Sequence, residues 1–219
     1  MKIGIIGSGV VGQTLGTKFA QLGYETKVGT RDPQKLVEWA ARVGPCGSVG
    51  TPDEAAVFGE LLVLATRWGN GATVNAIQVA NPANFAGKVV IDITNPLDLS
   101  SGTPALAVGH TDSAGETVQR LLPNARVVKA LNIVSATTMV NPAQSGGDPD
   151  MFIAGNNADA KNAVTDILTQ FGWKSVIDLG GIESARYLEP LAMIWFIQMT
   201  RTKRINHAFK LVGKSEEQS

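Results

Sequence analysis

The sequence predicts an α/β fold: a doubly wound parallel sheet with further strands and a helical part at its C-terminal end. Three observations carry that prediction. Short β-branched runs alternate with segments of helical period, the pattern of repeated βαβ units. Six such runs precede residue 133, the strand count of a complete doubly wound sheet. The runs "KIGIIG" and "LLVLAT" are apolar almost throughout, as strands covered on both faces are.

Taken in order, "KIGIIG" at 2–7 is the first strand and "VVGQTLGTKFAQLG" at 10–23 the helix after it, with Gly23 as its C-cap. "ETKVGT" at 25–30 is the second strand. "DPQKLVEWAARVG" at 32–44 is a helix whose Pro33 suits a first turn. A short third strand at "GSVG" and a helix from "TPDEAAVFG" lead to the fourth strand, "LLVLAT" at 61–66. The helix "NGATVNAIQVA", the strand "KVVIDIT", a long loop, the helix "SAGETVQRLLP" and the strand "ARVVKALN" complete the first 132 residues. Beyond them "MFIAG" and "KSVIDLG" read as two more strands with the helix "DAKNAVTDILTQFG" between. From about Gly181 to near Val212 the pattern is helical, and Pro190 predicts a kink or two helices. The stretch "VNPAQSGGDPD" is the candidate hinge, dividing the chain into residues 1–140 and a smaller part, 141–219, that closes a substrate cleft. The tail "GKSEEQS" is polar and frayed.

A chain of 219 residues can bury a core without staples, and 44% hydrophobic with 17% charged residues argues against disorder. Nineteen basic and nineteen acidic residues cancel, so no global field favours nucleic acid or an anionic membrane. Basic clusters with interleaved aromatics are also missing, and no nucleic-acid site is read. Cys46 is the only cysteine, which excludes an internal disulfide and a cysteine-rich metal site and fits a reducing cytoplasm. Glycines break the apolar start, so no signal peptide is read there. "LEPLAMIWFIQM" at 188–199 is too short to span a bilayer.

Gly7, Gly9 and Gly12 form a GxGxxG between the first strand and its helix, the context in which that motif binds a dinucleotide. The first glycine permits the tight turn, the second lets the backbone approach a pyrophosphate, and the third lets helix and strand pack closely. A carboxylate about 20 residues further on would hold the ribose 2′-hydroxyl of NAD. Gly29, Thr30 and Arg31 stand there instead, with Lys35 one turn on. A guanidinium, an ammonium and a hydroxyl suit the 2′-phosphate of NADP, which a carboxylate would repel. The structural alternative is a solvated basic pair on a surface helix with Asp32 as its ion partner.

These features together resemble the NADPH-dependent oxidoreductases of the coenzyme F420 (deazaflavin) type. "MKIGIIGSGVVG", "GTRDPQK", "DITNPL", "LLPNARVVKALN", "FIAGNN" and "GGIESARYLEPLA" carry the likeness from Met1 to about Met199. The Rossmann pattern also resembles the reductase domain of the STEAP metalloreductases, without their membrane domain. The resemblance implies hydride transfer between NADP(H) and a flat tricyclic acceptor, F420 or a flavin, in a cleft between sheet and C-terminal part. Ser8, Val10 and Val11 would line the pyrophosphate, and Thr30, Arg31 and Lys35 the 2′-phosphate. Thr66, Asn95, Pro96 and Ala130 would surround the ribose and nicotinamide. Where the family often has a proline after the fourth strand, this chain has "ATRWGNG". Arg67 and Trp68 there either hold an anionic or flat partner or are a surface arginine and a packing tryptophan.

Hydride transfer between flat rings asks for positioning more than for a nucleophile, and no motif for covalent or metal-assisted catalysis is present. Three side chains are candidates for a catalytic role. Asn132 ends the strand beside the nicotinamide, where it could bond the carboxamide or the acceptor. Lys129 lies in the same strand but could equally pair with a carboxylate. His110, in "AVGHTD", either reaches the cleft or is an unliganded loop histidine. His207 is placed near the end of the final helix, with no catalytic role. Leu191, Met193, Ile194, Trp195, Ile197 and Met199 are too apolar for an exposed face and predict core packing, a homodimer contact or a wall of the acceptor pocket. Three functions stay open: F420 or flavin reduction, reduction of a small carbonyl or imine metabolite, which needs a proton donor, and non-catalytic sensing of NADP.

Overall fold

The computed structural model describes residues 1–213 apart from 101 and 103, so the polar tail beyond Gly213 lies outside the described residues. The first half comprises β1 (Lys2–Ile6), α1 (Val10–Gln21), β2 (Glu25–Gly29), α2 (Val37–Val43), β3 (Gly47–Gly50), α3 (Pro52–Phe58) and β4 (Leu61–Leu64). Next come α4 (Ala72–Val79), β5 (Val89–Asp92), a ribbon of β6 (Leu97–Asp98) and β7 (Ala105–Leu106), α5 (Ala114–Leu121) and β8 (Arg126–Lys129). The remainder holds α6 (Ala136–Val140), β9 (Asp150–Gly155), α7 (Ala158–Phe171), β10 (Ser175–Asp178) and α8 (Ala185–Thr202).

One sheet of eight strands runs in the order β3-β2-β1-β4-β5-β8-β9-β10. The first six strands are parallel, β9 is antiparallel to β8, and β10 is parallel to β9. The two C-terminal strands therefore extend the main sheet. Alternate residues of each strand point to opposite faces, and both faces are covered. Ile3, Ile5, Leu61, Val63, Val89, Ile91 and Val128 pack with α1, α2, α6 and α7. Ile6, Leu62, Leu64, Val90 and Val127 pack with α3, α4 and α5. This explains why the central strands β1 and β4 read as nearly unbroken apolar runs. Chain order reverses between β1 and β4, and helices leave to opposite faces there, which opens a crevice outside the carboxyl ends of the strands.

Several details differ from the sequence-based reading. The long loop after β5 carries the β6–β7 ribbon, and in the candidate hinge Val140 ends α6 and Pro142–Ser145 form a 3-10 turn. α8 is one helix through Pro190. Proline removes one N–H bond there, but Leu188, Glu189 and Ala192 are all buried, and that packing holds the helix together. α8 ends at Thr202, with Lys203 left-handed at φ 58°, and does not continue towards Val212. The apolar period fails at "RTKR", residues 201–204, and the following chain packs Ala208 and Phe209 against the core instead. His207 thus lies beyond the helix. No described helix is long and apolar enough to cross a membrane.

Candidate active site

The loop from β1 to α1 is built by its glycines. Gly7 sits at φ +126°, and a Cβ on it would lie 2.3 Å from the Ala65 carbonyl oxygen. A Cβ on Gly12 would lie 1.9 Å from the Gly7 carbonyl oxygen, so α1 can approach the loop only without a side chain there. Gly9 is different. Its φ is −74°, and an added Cβ would meet no atom within 4 Å. Neither backbone strain nor protein packing calls for glycine at this position, and the space in front of it is open. The first turn of α1 has no side-chain cap and no acidic residue, so its N–H groups are open to an anion. The pyrophosphate of a dinucleotide fits this cradle.

From the loop a cleft extends in two directions. The chamber on one side has a volume of about 330 Å³ and runs between the glycine loop, the end of β2 and one face of α4. Thr30 is buried in its wall, donating its N–H to the Gly50 carbonyl at 2.9 Å and accepting from the Asp32 N–H at 3.3 Å. Arg31 and Lys35 line the same chamber. Lys35 stands 3.5 Å from Asp32, whereas no carboxylate among the described residues pairs with Arg31. The chamber therefore offers one unneutralised guanidinium where β2 ends, as a 2′-phosphate requires.

The second chamber, also about 330 Å³, shares Gly9, Ala65, Thr66 and Arg67 with the first. Together they form a continuous trough on the scale of a dinucleotide and its co-substrate. Thr66 is oriented by a 2.9 Å contact with the Thr73 hydroxyl, which itself donates to the Arg67 carbonyl. The strand ends contribute Ile93, Asn95, Asn132 and Val134, and α8 contributes Ala192, Trp195 and Phe196. Asn95 and Asn132 brace each other: Asn95 Nδ2 donates to the Asn132 carbonyl at 2.7 Å, and Asn132 Nδ2 donates to Asn95 Oδ1 at 2.9 Å. Asn132 Nδ2 also donates to the Leu188 carbonyl at 3.1 Å, tying the amide to α8, while its buried Oδ1 has no partner in the protein.

The structure sorts the sequence-derived candidates. Gly7, Ser8, Gly9, Thr30, Arg31, Lys35, Thr66, Arg67 and Asn95 line the cleft. Val10 and Val11 also do, but in the second chamber, and Gly12 lies beneath the loop. Pro96 and Ala130 are off the cleft wall: Pro96 is buried with its carbonyl accepting from the Ala107 N–H, and Ala130 is in the core. Trp68 packs against the core on the α3–α5 face, so only the cation of the Arg67–Trp68 pair faces the cleft. His110 is exposed, left-handed at φ 62°, and lines neither chamber.

Lys129 is fully buried beneath the strand ends. Its Nζ lies 3.0 Å from Asp92 and 2.9 Å from Glu189, and it donates to the Thr94 carbonyl. Burial opposes the ammonium charge, but the two carboxylates outweigh burial and hold its pKa above the ordinary lysine value. A lysine so placed keeps its proton and has no path to a substrate. Residues that sequence reasoning did not single out include Asn75 and Ala76 in the first chamber and Leu97, Met139 and Phe196 in the second. Nothing marks Asn75 in the sequence; the surplus apolar character of α8 did point towards Trp195. Among the described residues no group of three or more His, Cys, Asp or Glu is placed to hold a metal ion.

Residues 2–96 match the family model described as "NADP oxidoreductase coenzyme F420-dependent". The chain is 30% identical to the F420-dependent NADP reductase of Methanothermobacter marburgensis over 223 residues, covering 95% of this chain and 96% of that protein. It is 27% identical over 192 residues to metalloreductase STEAP3 of Rattus norvegicus; the match covers 88% of this chain but only 36% of that protein. A crystal structure from Arthrobacter sp. FB24, described as a candidate F420-dependent NADP-reductase, superposes with a TM-score of 0.92 at 39% identity, covering 97% of this chain and all of that one.

Proposed function

The chain belongs to the family of F420-dependent NADP oxidoreductases, and from that premise we propose that it passes a hydride between NADP(H) and a flat acceptor ring, F420 or a flavin. The make-up of the second chamber supports this reading. Among the described residues that line it, Arg67 is the only ionisable side chain; the rest are apolar, aromatic, amide, hydroxyl or glycine. Reducing a carbonyl builds negative charge on one oxygen and calls for a positioned proton donor. A conjugated tricyclic ring spreads the incoming electron pair over its own atoms and takes its proton from water afterwards. A chamber without an acid suits the second chemistry. Lys129 and His110, the proton donors that a carbonyl or imine substrate would need, are buried in an ion cluster and exposed on a loop, respectively.

The pyrophosphate rests on Gly7, Ser8, Gly9 and the first turn of α1, and the 2′-phosphate on Thr30 and Arg31 with support from Lys35. Thr66 and the Asn95–Asn132 pair face the ribose and nicotinamide. When bound, the coenzyme supplies the hydride from its nicotinamide ring. The protein supplies the geometry: Val10 and Val11 on one side and Trp195 and Phe196 on the other hold two flat rings close and keep water out. In this arrangement residues 1–140 carry the coenzyme and residues 141–219, through α8, close the cleft. The exposed Tyr187, Ile194 and Ile197 on α8 are where we place a homodimer contact.

Stopped-flow mixing of the protein with NADPH and, in turn, F420, FMN, FAD and small carbonyls or imines tests the assignment. Rapid NADPH oxidation by F420 or a free flavin is expected. Turnover of a carbonyl or imine alone would replace this function with metabolite reduction, and tight NADPH binding with no oxidation by any acceptor would replace it with sensing.

A further inference from the structure

Beyond α8 the chain reverses at the left-handed Lys203 and runs back as a strap. Its far end is fixed firmly. Asp150, only 2% exposed, donates its N–H to the Phe209 carbonyl at 2.9 Å, and its carboxylate accepts from Lys210 Nζ at 2.8 Å and from the Leu211 N–H at 2.7 Å. Between those anchors and the turn, the strap is bonded to Trp195 of α8. The indole Nε1 donates to the His207 carbonyl at 3.0 Å, and His207 Nε2 lies 3.0 Å from the Trp195 carbonyl. The two rings stack at 5.1 Å with 24° between their planes. A carbonyl only accepts, so the imidazole carries a proton on Nε2. One hydrogen bond and a stacked face hold the indole, the imidazole bonds the backbone carbonyl of the same residue, and the indole lines the second chamber.

A partly exposed tryptophan on a helix is free to change rotamer unless it is held, and a wall that must present a fixed plane to a flat ring cannot be. We propose that His207 is a positioning residue for the acceptor: clamped by the strap, it locks the Trp195 indole in the plane against which the acceptor ring packs. This rests on the reading of the second chamber as the acceptor's side of the cleft. Among the described residues, the indole N–H of Trp195 finds its partner at His207.

The test compares wild type with His207→Ala, His207→Phe, which keeps a flat ring without the donor, and His207→Gln, which keeps a donor without the ring. Two quantities are read: KM for the acceptor that wild type reduces, F420 or FMN, alongside KM for NADPH; and the emission of Trp195, taken as the difference between each protein and its Trp195→Phe counterpart. For His207→Ala the acceptor KM should rise roughly tenfold, the NADPH KM should stay within about twofold, and the Trp195 emission should shift to the red. His207→Phe and His207→Gln should fall between Ala and wild type, and they carry the test if the alanine variant does not fold. Unchanged acceptor KM and emission would overturn the proposal, as would equal rises in both KM values, which would mark a general structural defect. If wild type reduces neither acceptor, the functional reading falls by itself; the emission difference then decides whether His207 clamps Trp195, and an unshifted spectrum overturns the clamp.

Discussion

Lys129 Nζ and Glu189 Oε1 lie 2.9 Å apart with neither side chain reached by solvent, and through them the end of β8 is bolted to α8. Glu189 also accepts from the Ala114 and Gly115 N–H groups at 2.9 and 3.0 Å, at the start of α5. Asp92 completes the cluster, its other oxygen taken by the N–H and hydroxyl of Thr94 at 2.9 and 2.7 Å. One ammonium thus faces two carboxylates, and helix N–H groups offset the surplus negative charge. Thr94, bonded to Asp92 and Lys129, precedes Asn95, and Glu189 belongs to the helix that carries Trp195, so the cluster joins two elements that wall the second chamber.

Replacing Lys129 by Met should lower the unfolding free energy by about 3–5 kcal/mol, because two carboxylates are left buried without a cation. Urea unfolding at neutral pH measures this. A variant as stable as wild type but without hydride transfer would instead make Lys129 a proton donor and revive metabolite reduction.

Gly9 and Gly12 belong to one motif yet should fail in opposite ways. Gly9→Ala adds a methyl where the protein has no atom within 4 Å, so the thermal midpoint should hold while NADP(H) affinity falls on the order of tenfold or more. Gly12→Ala drives a methyl towards the Gly7 carbonyl and should destabilise the fold by about 1–3 kcal/mol. Calorimetry of coenzyme binding and thermal melts separate the two. A Gly9→Ala protein that binds NADPH as wild type does would remove the pyrophosphate from this loop.

The motif, the sheet and the basic end of β2 were legible because each depends on local pattern: apolar runs, glycine spacing, charges within one turn. The second chamber was less so. Its walls come from residues far apart in sequence, Leu97, Met139 and Phe196, that only the sheet order brings together. Lys129 and Glu189 are 60 positions apart and each looks like an ordinary strand or helix charge, so burial of the pair could not be read. Pro190 misled for a related reason: helix propensity is a local rule, and the buried Leu188, Glu189 and Ala192 override it. The strap escaped notice because Ile205, Ala208, Phe209 and Val212 resume a helical spacing past the break at residues 201–204, while the bonds that hold the segment come from Asp150 and Trp195.

Acid should loosen the attachment of α8 to α5. Arg186 donates to Glu116 through Nε at 2.8 Å and through a second guanidinium nitrogen, and Ser113 Oγ donates to the same carboxylate at 2.7 Å. The guanidinium bond, chiefly, holds the Glu116 pKa below its ordinary 4.5 despite partial burial. A depressed carboxylate pKa stabilises the fold fully above the unfolded value, and that contribution is lost as pH falls through the lower, folded value. Wild type should therefore exceed Arg186→Gln in unfolding free energy at neutral pH, and the gap should narrow as pH falls below the ordinary carboxylate value of 4.5. Urea titrations from pH 7 to 3 check this; a constant gap across the range would mean that Arg186 acts through packing alone.

Arg31 and Lys35 make unequal claims on the 2′-phosphate. Arg31 has no carboxylate partner among the described residues, so its fork is free for the ligand; Lys35 is largely exposed and already 3.5 Å from Asp32. A charge-assisted bond to phosphate is worth about 1.5–3 kcal/mol, so Arg31→Ala should raise the NADPH KM by roughly 10- to 100-fold. Lys35→Ala should raise it only about two- to threefold, the scale of an exposed and screened pair. Neither change should move the NADH KM beyond about twofold, since that coenzyme has nothing for either cation to hold. Added salt should narrow the NADPH gap between wild type and Lys35→Ala more than that of Arg31→Ala, whose direct contact is less screened. Steady-state kinetics with both coenzymes at two ionic strengths measure all four quantities, and equal losses for NADPH and NADH in Arg31→Ala would take the 2′-phosphate away from the end of β2.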